Sequence, residues 1–289
     1  MPRMGRSRKK RSMHTPTLLR SFLSRTVLAL SLAAIVHSAH AAIAVKSGEK
    51  IGFLGDSITA GGWSNPAGYV RLVMAGLKAN GIDAEAVPAG ISGHKSNDML
   101  ARLEKDVLSK KPQWMTLSCG VNDVWHGAKG VLLDQYKENI TKIVDTATAA
   151  GAKVVITTAT VIYEKLDSPQ NVQLAPYNDF LRALAKEKNL PLADLNAMFH
   201  ERIKAENQPD KKVVTSDGVH MNGEGNKLMA TGVLRAMGLD DAAMAKARES
   251  WTELSAKADA AAKEAAAAKA AAKAAKDKAA AEAAVPAPK

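Results

Sequence analysis

Between Lys50 and Leu239, short runs of consecutive apolar residues alternate with stretches whose apolar residues recur every three or four positions. The first pattern suits strands buried on both faces, the second helices with one buried stripe. Strands are expected at Ile51 to Leu54, within Ala84 to Ala89, at Trp114 to Ser118, at Val154 to Thr158 and at Leu192 to Leu195. Helical faces are expected from Tyr69 to Leu77, stopped near Asn80-Gly81, and through Met99, Leu100, Leu103, Val107 and Leu108, with Ser96 to Asp98 as the cap. Further faces run from Leu132 through Leu133, Tyr136, Ile140, Ile143 and Val144 to Ala147, and through Leu174, Tyr177, Phe180, Leu181 and Leu184. Leu228, Met229, Gly232, Val233 and Met237 line the last one. Strand and helix in alternation imply a parallel five-stranded sheet covered on both faces, a three-layer α/β/α sandwich. In such sheets, sites gather outside the carboxyl ends of the strands.

The ends of the chain read differently. "RSRKKR" followed by the 11-residue apolar run Thr26 to Val36 has the order of a secretory signal, and the run is too short to span a bilayer. Ala39-His40-Ala41 and Ala42-Ile43-Ala44 offer small-x-small cleavage patterns, and Met13 is an alternative start. Residues 1–41 are therefore expected to be a signal peptide that exports the protein to a periplasm or out of the cell, leaving no stable membrane span. Those 41 residues hold 8 of the 40 Lys and Arg and none of the 29 Asp and Glu. The net charge of +11 is thus mostly an address label, which removes the main support for a nucleic-acid partner. At the other end, 24 of the 49 residues from Asp241 to Lys289 are alanine, and apolar anchors almost vanish after Leu254. That composition favours helix but offers no face wide enough to bury. Residues 241–289 are expected to form a solvated, partly helical tail of unknown partner, beyond a folded domain at 42–240.

The chemistry starts from Phe53-Leu54-Gly55-Asp56-Ser57-Ile58-Thr59, a strand running into a tight turn with a serine at its tip. A serine hydroxyl needs a base, usually a histidine oriented by a carboxylate. Of seven histidines, His220 stands out, in Thr215-Ser216-Asp217-Gly218-Val219-His220 before the last helix. Asp217 lies three residues upstream, with Gly218 between to permit the bend. It can reach the Nδ1 side of the ring and leave Nε2 for Ser57. Asp56 is the poorer candidate, because neighbouring side chains at a strand end diverge. Oxyanion donors are available from the N–H of Gly93, the amide of Asn122 and the N–H of Ser57. All three residues follow expected strands. Cys119, the sole cysteine, follows a strand and reads as a buried thiol.

Four blocks in order, "FLGDSIT", "AGISGHKSND", "GVND" and "DGVH", resemble the SGNH hydrolase superfamily, also called the GDSL esterases and lipases. Ile58 stands where the family often has leucine. The resemblance covers about Lys50 to Leu239 and implies a flavodoxin-like fold. It implies Ser57 as nucleophile, His220 as base, Asp217 as its support, and Ser57, Gly93 and Asn122 as the oxyanion hole. The G-x-S-x-G elbow of the α/β-hydrolases is absent.

Trp63, His94, Trp125 and His126 sit beside these blocks and are candidates for a substrate wall. His94, His126 and Asp123 have no metal-ligand spacing, and neither a metal nor an organic cofactor is expected. No insertion is long enough for a lid. The sequence therefore favours a secreted serine esterase acting on small or polysaccharide-borne esters, with O-acetyl groups on carbohydrate first. A lysophospholipase or acyl thioesterase of the same fold is the alternative. A non-catalytic envelope-binding protein acting through its tail is the rival from another class.

Overall fold

The computed structural model describes residues 43–206, 208 and 211–283, with side chains as far as residue 276. The expected signal segment and the last six residues lie outside the described residues. Five parallel strands form one sheet: β1 (Lys50–Gly55), β2 (Glu85–Gly90), β3 (Trp114–Ser118), β4 (Lys153–Thr157) and β5 (Leu192–Ala193). Their order is β2-β1-β3-β4-β5, the doubly wound order that places a switch point between β1 and β3.

The two covering layers follow from adjacent residues of β1. The ring of Phe53 meets Tyr69 edge-on at 6.4 Å, so Phe53 faces helix α2 (Tyr69–Ala79). A Cβ at Gly52 would lie 2.7 Å from Cγ1 of Val107, so Gly52 faces the end of helix α3 (Ser96–Asp106). Consecutive strand residues point to opposite faces, and α2 and α3 therefore cover opposite sides. With α2 pack α8 (Gly223–Ala236) and the start of α9 (Asp241–Ala283). With α3 packs α5 (Leu133–Ala149), and α6 (Pro169–Glu187) lies beside α5. Ile51, Phe53 and Leu54 of β1 and Val154, Val155 and Ile156 of β4 are wholly buried, as continuous apolar strands require.

Several details depart from the expected pattern. Ser57 is not the tip of a tight turn but the first residue of a helix, α1 (Ser57–Ser64), capped by Asp56. Leu132 does not join the buried face of α5; it precedes the first turn and is 82% exposed. Ser96 does not cap α3 but is buried, while Asp98 reaches back to the N–H of Lys95 at 3.0 Å. Helix α7 (Leu195–Glu206) follows β5 directly, and the short α4 (Val121–Trp125) follows β3.

The expected boundary after residue 240 falls inside packed structure. Met244, Ala247 and Trp251 of α9 are buried against α2, and the Trp251 indole donates to the main-chain oxygen of Leu72 at 2.8 Å. These three at helical spacing, with Leu254 and Ala258 partly buried against the same core, dock the first turns of the segment. Residues 259–276 are exposed, and the helix continues through Ala283. No described helix is long and apolar enough to cross a membrane.

Candidate active site

Parallel register brings the carboxyl ends of β2, β1 and β3 side by side: Gly55 is level with Gly90, and Leu54 with Leu117. Ser57, Gly93 and Asn122 leave from these three ends. The loop before α8 completes the group. Ser57 Oγ lies 2.8 Å from Nε2 of His220, and Nδ1 of His220 lies 2.6 Å from Oδ2 of Asp217. Asp217 also accepts the main-chain N–H groups of Val219 and His220 on Oδ1, at 2.9 and 2.8 Å. Burial alone would push the Asp217 carboxyl up. The hydrogen bonds from the His220 ring and from the two main-chain N–H groups outweigh it and hold the carboxyl at about 2. An ionised carboxylate only accepts, so Nδ1 carries the proton and Nε2 is free to accept from Ser57.

Asp56 has another task. Its Oδ1 accepts the N–H of Ile58 at 2.9 Å and caps α1. Burial, reinforced by the nearby Asp123 carboxylate, raises its pKa to about 6. The N–H of Ser57 lies in the first turn of α1, where no intrahelical acceptor exists.

The side chain of Asn122 is buried and donates from Nδ2 to the main-chain oxygen of His94 at 3.1 Å. One N–H of that amide thus positions the group, and the other is left for a ligand. Gly93 adopts φ +77°, a left-handed conformation that glycine takes without strain, and a Cβ there would meet nothing within 4 Å. Asp123 ties the two loops together by accepting the N–H and hydroxyl of Ser96 on Oδ1.

The four wall candidates separate. Trp125 is 37% exposed and meets Tyr163 edge-on at 6.5 Å, with its indole N–H donating to the phenol oxygen at 3.3 Å. His126 is exposed beside it, its ring tilted on that of Trp125 at 6.4 Å. The ring of Trp63 is covered on one face by the Arg71 guanidinium at 3.5 Å. Nδ1 of His94 accepts from Nε of Arg102 at 3.0 Å, which fixes its ring. A cleft of about 100 Å³ opens beside the Ser57–His220 pair, lined by Ile58, Gly61, Gly62, Asn65, Met221 and Asn226 as well. Among the described residues, no cluster of three His, Cys, Asp or Glu is arranged to hold a metal ion. Cys119 is buried, as expected, and its thiol is pushed well above its usual range, first by that burial and then by Asp123 and Asp56.

Three residues at the site escaped the sequence reading. Arg102 is buried and donates to the main-chain oxygens of Gly55 and Ala89 at 2.7 and 2.9 Å, holding the ends of β1 and β2. Its signal was an arginine on the same stripe as Met99 and Leu103. Tyr163 and Glu164 lie in a loop after β4 that carries no recognisable motif.

Residues 53–228 match the GDSL-like Lipase/Acylhydrolase family. The chain belongs to this family. Among its relatives is an acetylxylan esterase of Geobacillus stearothermophilus, 29% identical over 215 residues, which span 68% of this chain and 97% of that one. An arylesterase of Vibrio mimicus is 29% identical over 150 residues, 46% of this chain and 73% of its own length. Among solved structures, the acetyl xylan esterase AlAXEase superposes with a TM-score of 0.61 at 33% identity, over 65% of this chain and 98% of that one. This GDSL protein is accordingly an ester-hydrolysing serine hydrolase on an SGNH α/β fold.

Proposed function

We propose that the protein is an exported esterase that removes short acyl groups, foremost O-acetyl groups, from carbohydrate. The observation that carries the acyl preference is the cleft of about 100 Å³ beside Ser57 and His220. Small and set directly against these two residues, it suits an acetyl group better than a long chain. Likeness to acetylxylan esterases over most of their length supports a carbohydrate-borne ester. Trp125, exposed three residues after Asn122, offers a flat apolar surface suited to a sugar ring, and His126 a polar neighbour. Export rests on the basic and apolar N-terminal pattern.

In this reading His220 takes the proton of Ser57 as its Oγ attacks the ester carbon. The N–H groups of Ser57 and Gly93 and the Asn122 amide stabilise the oxyanion. His220 then protonates the departing sugar oxygen, leaving an acyl-serine. Water, deprotonated by His220, attacks that ester; the bond to Ser57 Oγ breaks as His220 returns the proton to it, releasing the carboxylic acid and restoring the serine. Asp217 holds the ring and stabilises the imidazolium formed in each half-reaction.

The test compares acetylated xylooligosaccharides with p-nitrophenyl esters of increasing acyl length. Acetate release from the glycan, with kcat/KM falling beyond butyrate, is expected. Activity that rises toward long acyl chains would replace this reading with a lysophospholipase or thioesterase.

A further inference from the structure

The segment from Val213 to His220 carries two of the three triad residues but has no regular element beyond a single bridge between Thr215 and Met221. Its shape is set from outside. Glu164, half-buried in the loop after β4, accepts the N–H of Val213 on Oε2 at 2.5 Å. Its Oε1 accepts the N–H of Val214 at 3.0 Å and both the N–H and hydroxyl of Thr215 at 2.6 Å. Three of the four bonds converge on Oε1 and one reaches Oε2, so a single carboxylate gathers the main chain of three consecutive residues.

The Thr215 hydroxyl passes the restraint on. While donating to Glu164, it accepts the N–H of Gly218 at 3.1 Å, and Gly218 stands between Asp217 and His220. Tyr163 holds the other side of the same residue: its N–H donates to the Gly218 oxygen at 2.7 Å. Gly218 is at φ +106°, and a Cβ there would lie 2.7 Å from Cδ1 of Tyr163. Tyr163 itself sits at φ +61°, an uncommon conformation for a bulky residue, and such outliers persist only where their surroundings impose them. The surroundings here are Asn171 of α6, which receives the N–H of Ile162 and donates to the oxygens of Tyr163 and Lys165.

We propose that Glu164 is a positioning residue for His220, acting through the Thr215 hydroxyl and Gly218, and that its role requires a carboxylate. A glutamine keeps one oxygen for the donors gathered at Oε1, but its NH₂ group then faces the N–H of Val213, which loses its acceptor. The proposal rests on the assignment of Ser57, Asp217 and His220 above.

The experiment measures kcat and KM for p-nitrophenyl acetate in Glu164→Gln, Thr215→Val, their double variant and His220→Ala, with circular dichroism to establish folding. Misplacing the base by about 1 Å lowers turnover about 100-fold, so Glu164→Gln should lose about that factor in kcat with KM unchanged. Thr215→Val should lose about 10-fold, and the double variant no more than Glu164→Gln alone, because the two act in series. A folded Glu164→Gln within threefold of wild-type kcat, or a loss carried by KM alone, overturns the proposal. Should Glu164→Gln fail to fold, unchanged kcat in Thr215→Val overturns it equally. His220→Ala separates the two levels. If it keeps wild-type turnover, the triad assignment fails and the clamp with it. If it is inactive while Glu164→Gln is not, only the clamp fails.

Discussion

Asp123 accepts two hydrogen bonds from Ser96, at 3.0 Å from its N–H and 2.6 Å from its hydroxyl. One residue follows Asn122 and the other lies three after Gly93, so this pair fixes the distance between the two proposed oxyanion donors. The Ser96 hydroxyl also accepts from Asn139 at 3.1 Å. Ser96→Ala leaves buried partners short of a bond and should cost about 1–3 kcal/mol of stability. It should also lower kcat for acetate esters about tenfold through the displaced loops. Thermal melts and steady-state kinetics check both.

The cleft makes a prediction of its own. Gly61 lies on α1 one turn after Ser57, and a Cβ there would meet nothing within 4 Å. Gly61→Ala should therefore fold, with a gain of up to about 1 kcal/mol from helix propensity. The added methyl narrows the cleft, so the ratio of acetate to butyrate turnover should rise. An unchanged ratio would place the acyl group elsewhere.

What could be read from the sequence was what is local. The blocks around Ser57, Gly93, Asn122 and His220 each sit at a strand end or before a helix, and the apolar periodicity located those ends. Asp217 was legible because its partner is three residues away. Glu164 was not, because its donors are 49 to 51 residues distant and no motif surrounds it. Leu132 carried the right spacing for the α5 face, but periodicity cannot tell the residue before a helix from the first one inside it. The docking of α9 was hidden for a related reason. Met244, Ala247 and Trp251 are diluted among alanines, and only the groove along α2 makes them a face.

That docking divides α9 in two. Removing residues 259–289 should leave the melting temperature and turnover unchanged, since residues 259–276 touch no core. Trp251→Ala should cost about 3–5 kcal/mol, as loss of a large buried side chain does. Equal effects of the two changes would contradict the division.

Stability should respond to pH through Asp56. Its pKa rises from 3.8 to about 6 on folding, so the folded state holds the proton longer and stability falls as pH climbs through that window. The cost above the window is up to about 3 kcal/mol. Asp217 acts in the opposite sense at lower pH: its stabilisation is present above 3.8 and lost as pH falls toward about 2. Asp56→Asn keeps a side-chain oxygen to cap α1 and should make the slope between pH 4 and 6 shallower in denaturant titrations.

The central claim is that Ser57 is the nucleophile. The most direct measurement is p-nitrophenyl acetate turnover by the wild-type protein and by Ser57→Ala, at equal folded concentration. The account predicts a loss of at least about 1,000-fold in kcat in the variant, with only oxyanion-hole catalysis remaining. Equal rates in the two proteins would contradict it.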